Sequence, residues 1–204
     1  MITIVDYGLG NIAAFANVYN RANTSVSIAR KAEDLKGASK LILPGVGHFD
    51  HAMELLQQSG MRDALDNLVL REKVPVMGVC VGMQILARSS EEGKLPGLGW
   101  LDGDVKAFRS WTATQNMALP HMGWNDVHPV SPSKLFDDLE ADARFYFLHS
   151  YYFDCDRKQD VLAICNYGAD FGCAVHSSNI YGVQFHPEKS HRFGTRLLKN
   201  FAEL

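Results

Sequence analysis

The chain has 204 residues, 47% of them hydrophobic, and a net charge of -3. That is enough apolar material for a well-buried α/β domain, which we read as one domain over residues 1–204, and it argues against disorder. Lys and Arg form no block, so bulk electrostatics disfavour nucleic acid and anionic membranes as partners, and no apolar run approaches the ~20 residues of a membrane span.

The first half alternates between strand and helix patterns. Residues 2–7, ITIVDY, read as a buried strand that starts almost at the first residue, without the basic start and long apolar stretch of a signal peptide. Ile12, Phe15, Ala16 and Tyr19 then recur at helical spacing. SVSIAR (25–30) and KLILPG (40–45) read as the second and third strands. Met61, Ala64, Leu65, Leu68 and Val69 trace one helix face, and VPVMGVC (74–80) is the fourth strand, with Met83, Leu86 and Ala87 opening the helix after it. Continuous apolar strands alternating with helices predict an open parallel sheet covered on both faces.

From Trp100 onward the strand candidates crowd together: WLDGDVKAF, HMGWNDV, RFYFLHSYYF, VLAICNYG, GCAVHS and IYGVQFH. Turn residues separate them, which predicts an antiparallel extension of the sheet. A final helix carries Phe193, Leu197, Leu198 and Phe201. The four cysteines (Cys80, Cys155, Cys165, Cys173) form no CxxC pair and are too few for a disulfide scaffold, so we expect a reduced, cytoplasmic chain. The eight histidines show no metal-ligand spacing, and we expect neither metal nor cofactor.

Gly78-x-Cys80-x-Gly82, at a strand-to-helix corner, has the form of a nucleophile elbow. Small flanking residues let the turn close, and the following helix would present its N-terminal N–H groups to the sulfur, favouring thiolate. A small buried cysteine in a glycine-rich turn would look the same in sequence. The nucleophile needs a base and an orienting group. His186 and Glu188 flank Pro187, and in an extended chain residues i and i+2 point the same way. His48, His51, His121, His128, His149, His176 and His191 compete, and spacing alone does not choose among them. An oxyanion hole could use the N–H of Val81 and that of Val46 or Gly47 in the turn PGVGHF (44–49).

Taken in order, DYGLGN (6–11), LPGVGHF, GVCVGMQ, SSEEG (89–93), PGLGW (96–100), PHMGWN (120–125), HSYYF (149–153) and GVQFHPEKS (182–190) resemble the class I (triad) glutamine amidotransferases, nearly end to end. Within that family the chain is most similar to the glutaminase subunits of imidazole glycerol phosphate synthases. The resemblance implies a flavodoxin-like open mixed sheet, mostly parallel, and a glutaminase with Cys80 as nucleophile, His186 as base and then acid, and Glu188 orienting it. It implies a glutamine pocket of Gly47, Gln84, Glu92, His149, Ser150 and Tyr151. It also implies a (β/α)8-barrel cyclase partner that receives ammonia for histidine biosynthesis, across a face that includes Asn11, Trp124, Tyr146 and Lys189.

Val81 stands where leucine is more usual in the family; it supplies a backbone N–H, so little changes. The tail EKSHRFGTRLLKNFAEL looks like a branch associated with aminated or amidinated sugars of surface polysaccharide, which leaves the ammonia acceptor open. A solitary cysteine peptidase or γ-glutamyl hydrolase, and a non-catalytic stabilising subunit, are competing readings. The intact Cys80, His186 and Glu188 argue against the last.

Overall fold

The computed structural model describes residues 1–112, 117–139 and 143–204. Its main sheet has eight strands in the order β2-β1-β3-β4-β12-β11-β10-β7. These are β1 (Ile2–Val5), β2 (Val26–Ala29), β3 (Leu41–Gly45), β4 (Val76–Cys80), β7 (His128–Pro129), β10 (Val161–Asn166), β11 (Asp170–Ser177) and β12 (Ile180–Val183). The pairs from β2 to β12 are parallel, and those from β12 to β7 are antiparallel. Every residue of β1, β3 and β4 is buried, as strands covered on both faces require.

Among the described residues, five α-helices accompany the strands: α1 (Ile12–Arg21), α2 (Phe49–Gln58), α3 (Arg62–Asp66), α4 (Val81–Gln84) and α5 (His191–Glu203). Successive residues of β12 show that both faces are covered, because neighbouring side chains on a strand point oppositely. The ring of Tyr181 meets Phe201 of α5 at 6.0 Å. On the other face a Cβ at Gly182 would lie 2.7 Å from Met83 of α4. Among the described residues, no helix is long and apolar enough to cross a membrane.

Several details differ from these expectations. Residues 61–71 do bury Met61, Leu65, Leu68 and Val69, but α3 widens after Asp66 into a π-helical turn over Asn67–Arg71. The elbow helix α4 is a single turn, after which the chain bends away. The expected antiparallel extension is present in β11, β10 and β7, but the other strands of the second half do not join it. RFYFLHSYYF breaks at Ser150 into β8 (Arg144–His149) and β9 (Tyr151–Cys155), which pair separately with β6 (His121–Asp126) and β5 (Gly103–Ala107). Further, β12 joins β4 in parallel, because a tight reversal with Ser178 at φ 58° turns the chain back from β11. Residues 49–58, for which the sequence reading gave no element beyond the turn, form α2 with Phe49, Ala52, Met53 and Leu56 on its buried face.

The parallel strands β3, β4 and β12 end at one edge, where open α/β sheets hold ligands. Gly45 pairs with Cys80 and Val183 with Val79, so the segments running into Val46, Val81 and His186 leave the sheet side by side. Three glycines make that crowding possible. A Cβ at Gly82 would sit 1.9 Å from the Leu43 carbonyl oxygen, one at Gly45 2.3 Å from the Gly82 nitrogen, and one at Gly78 2.5 Å from the Gly82 oxygen. All of these neighbours are backbone atoms of buried elements. Gly82→Ala is therefore expected to destabilise the fold by about 3 kcal/mol or more, read as a lowered midpoint in chemical denaturation. A variant as stable as wild type would show that the elbow is not packed this tightly.

Candidate active site

Cys80 is the last residue of β4 and holds φ 55° and ψ -115°, a strained backbone for a residue with a Cβ. The strain turns its side chain out of the sheet toward the segment that follows β12. There His186 Nδ1 lies 2.9 Å from Glu188 Oε1, with both side chains buried. The other imidazole nitrogen, Nε2, is left for the Cys80 sulfur, which faces the same cleft.

The pairing of His186 with Glu188 stands, but its cause differs from the expected extended tripeptide. His186 is extended, whereas Pro187–Lys189 form a 3-10 turn that folds the carboxylate back onto the ring. Ser190 locks the turn: its hydroxyl donates to the His186 carbonyl (2.6 Å) and accepts from the Tyr146 N–H (3.0 Å), while the His186 N–H donates to the Tyr146 carbonyl (2.8 Å). Burial alone would push the His186 imidazolium down. The neighbouring Cys80 sulfur and the Glu188 carboxylate outweigh it, and the pKa rises to about 10. Such an environment favours the imidazolium form of His186. Glu188 Oε2 is buried with no hydrogen-bond partner among the described residues, so the carboxylate works through Oε1 alone.

A cleft of about 300 Å³ opens over the sulfur. Its lining joins Cys80 and His186 to Val46, Gly47, Val81, Gln84, Glu92, His149, Ser150, Tyr151 and Lys189. It thus brings together the predicted nucleophile, base, oxyanion turns and glutamine pocket. Glu188 stands behind His186. Glu92 is no free acidic turn, since Oε2 accepts from the Phe49 N–H at 2.8 Å and so caps α2. Of the competing histidines only His149 reaches the cleft. His48 caps α2 by accepting from the Asp50 N–H.

The remaining residues expected at a partner face do not all gather. Trp124 is 40% exposed rather than core; it stacks on His191 at 5.2 Å and meets Tyr146 at 6.4 Å. The Lys189 ammonium lies 5.8 Å from the Tyr146 ring centre. Asn11, in contrast, caps α1 by accepting from the Ala14 N–H and does not line the cleft.

Two groups near the sulfur, Tyr7 and Gln184, escaped the sequence reading, as did the pairing of His121 with His149. The Tyr7 hydroxyl, buried close to Cys80, donates to the Pro44 carbonyl at 2.8 Å and steadies the turn that carries Val46 and Gly47. Gln184 Nε2 lies 3.8 Å from the Cys80 sulfur. His121 Nδ1 and His149 Nε2 lie 2.9 Å apart, beneath the cleft wall. His149 Nδ1 faces the Tyr151 carbonyl at 2.8 Å. A carbonyl only accepts, so that nitrogen carries the proton, Nε2 accepts, and His121 is the donor. Burial draws His149 down to about 3 and His121 down to about 4, so both stay neutral at working pH.

Comparison with known proteins agrees with this geometry. The family model "Glutamine amidotransferase class-I" matches residues 3–204. The chain is 62% identical to the imidazole glycerol phosphate synthase subunit HisH of Bdellovibrio bacteriovorus, with 100% of both chains covered. It is 47% identical to subunit HisH 2 of Pseudomonas aeruginosa, again over 100% of each. A crystal structure titled glutamine amidotransferase is similar at TM-score 0.77 and 21% identity, covering 99% of this chain and 97% of that one. At that identity the likeness speaks for the fold.

Proposed function

The chain belongs to the class I glutamine amidotransferases, and from that premise we propose that it hydrolyses glutamine through a Cys80 thioester and hands the ammonia to a cyclase partner. The product would be imidazole glycerol phosphate, in histidine biosynthesis. The observation that carries the chemistry is the buried Cys80–His186–Glu188 arrangement, with the sulfur and the imidazole facing one cleft.

The Cys80 thiolate attacks the side-chain amide carbon of glutamine, and the carbonyl oxygen gains charge. The N–H groups of Val81 and of Val46 or Gly47, residues that line the cleft, would receive that oxyanion. The C–N bond breaks as the His186 imidazolium gives its proton to the departing nitrogen, releasing ammonia and leaving a thioester. Water then attacks the thioester. His186 takes one of the water's protons, the C–S bond breaks, and glutamate leaves with the thiolate restored. Glu188 holds the imidazole so that Nε2 serves the sulfur in both half-reactions. Gln84, Glu92, His149, Ser150 and Tyr151 form the walls that hold glutamine.

Ammonia released to water would be protonated and lose its nucleophilicity, so the exit must be sealed by the acceptor. The rim of the cleft supports a docked partner. On the β6–β8 ladder Met122 pairs with Leu148 and Trp124 with Tyr146. Met122 (61%), Trp124 (40%) and Leu148 (38%) are exposed apolar side chains of one strand face, and Leu148 also lines the cleft. A (β/α)8-barrel cyclase seated there would cover both the apolar row and the exit. Lys189, on the cleft wall, would flank it. The four free cysteines suit the reducing cytoplasm, which is the setting we propose.

The test is glutamate release from glutamine by the purified chain, alone and with a barrel cyclase plus its nucleotide ligand. Slow release alone and a large rise with the loaded cyclase is the expected result. Release that ignores the cyclase would overturn the partner assignment, and no release under either condition would overturn the glutaminase.

A further inference from the structure

Gln184 follows β12 and is fully buried, an uncommon place for an amide side chain. Its backbone is held by its N–H donating to the Cys173 carbonyl at 2.9 Å. The side chain touches two groups: Gln84 Nε2 lies 3.0 Å from Gln184 Oε1, and Gln184 Nε2 lies 3.8 Å from the Cys80 sulfur.

The orientation of these amides follows from one backbone atom. The Tyr151 carbonyl oxygen can only accept, and Gln84 Nε2 lies 3.2 Å from it. Gln84 must therefore present its NH2 inward, to Tyr151 and to Gln184. Gln184 must answer with its carbonyl oxygen, which leaves its own NH2 for the sulfur. The alternative flip of either amide would set NH2 against NH2, or oxygen against oxygen. His149 fixes the anchor from the other side, because its Nδ1–H also donates to the Tyr151 carbonyl.

The sulfur therefore has an N–H donor on one side and the Leu148 carbonyl, 3.9 Å away, on another. That carbonyl can accept from a thiol but opposes a thiolate. A fixed N–H donor does the reverse, because hydrogen bonds to the charged form stabilise it. We infer that Gln184 is a positioning residue for the reaction, its side-chain N–H holding the Cys80 sulfur in the thiolate form and in its attacking rotamer.

This inference rests on Cys80 being the nucleophile, and the experiment separates the two. The rate of Cys80 alkylation by iodoacetamide is followed against pH, by mass of the Cys80 peptide, in wild type, Gln184→Met and Gln184→Glu. Methionine keeps the volume and removes the donor. Glutamate keeps the acceptor for Gln84 and puts an oxygen against the sulfur, so it serves as the independent variant where methionine disturbs packing. The expected result is an alkylation midpoint raised by about one pH unit in Gln184→Met, a roughly tenfold loss of reactivity below that midpoint. In Gln184→Glu the rise is larger still. Folded variants that alkylate with the wild-type rate and midpoint would overturn the role of Gln184 while leaving Cys80 as nucleophile. Glutamine hydrolysis that survives Cys80→Ala would instead overturn the reading beneath it.

Discussion

Replacing Cys80 by alanine is expected to reduce glutamate formation by about 10⁴-fold or more, the scale seen when a nucleophile is removed from a triad enzyme. Among the described residues, no other thiol lines the cleft to form the acyl intermediate in its place. Gln84, His149 and Gln184 are held by their own hydrogen bonds, and Cys155, Cys165 and Cys173 do not line the cleft. Alanine fits the elbow, since it removes only the sulfur from a residue that already tolerates φ 55°. The variant should therefore fold and still dock on its partner. Synthesis by the complex should fail with glutamine and persist with added ammonium salts, because the acceptor needs ammonia and not the thioester. Steady-state glutamate assays with both nitrogen sources check this. Glutamine use that persists in the variant would remove Cys80 from the mechanism.

Glu188→Gln is the second large effect, expected to lower kcat by about 10² to 10⁴-fold. The carboxylate Oε1 accepts from His186 Nδ1–H and keeps Nε2 free to exchange a proton with the sulfur. A carboxamide can turn its NH2 toward Nδ1, which moves the ring proton to Nε2 and blocks proton uptake from the thiol. Glu188 also helps raise the His186 pKa to about 10, after Cys80, against the opposing effect of burial. The sign of the pH effect follows. The wild-type imidazolium persists until the pH rises through that value, so activity should fall on the alkaline side there. Losing the carboxylate removes a raising influence, and the alkaline limb should move to lower pH. A kcat–pH profile on the variant measures both changes. A profile that keeps its alkaline limb and its height would show that Glu188 does not orient the ring.

Much of this was legible in the sequence because the chemistry is written in short contiguous motifs. The GxCxG corner, the turn at Gly47 and the His186-Pro187-Glu188 tripeptide each place their groups through local backbone geometry. The continuous apolar runs of β1, β3 and β4 likewise announce strands buried on both faces. What could not be read depends on distant contacts. Gln184 meets Cys80 across 104 residues, and His121 meets His149 only because β6 and β8 pair in one register. Both look like ordinary strand residues in sequence. The helix over Phe49–Gln58 is different, because its buried Phe49, Ala52, Met53 and Leu56 carry the helical period in plain view. There the glycine-rich turn drew the reading away from the amphipathic stretch after it. The single-turn length of α4 had no local signal; it ends because the chain turns back to lay Leu98 and Trp100 against Ile85 and Leu86.

The central claim, that Cys80 carries the glutamyl group, has a direct test. The wild-type chain with its cyclase is mixed with glutamine, quenched in acid during turnover, digested, and the Cys80 peptide is weighed. A peptide heavier by one glutamyl group, absent when glutamine is omitted, is the predicted result. Steady glutamate production with that peptide always unmodified, even at the shortest quench times, would contradict the account.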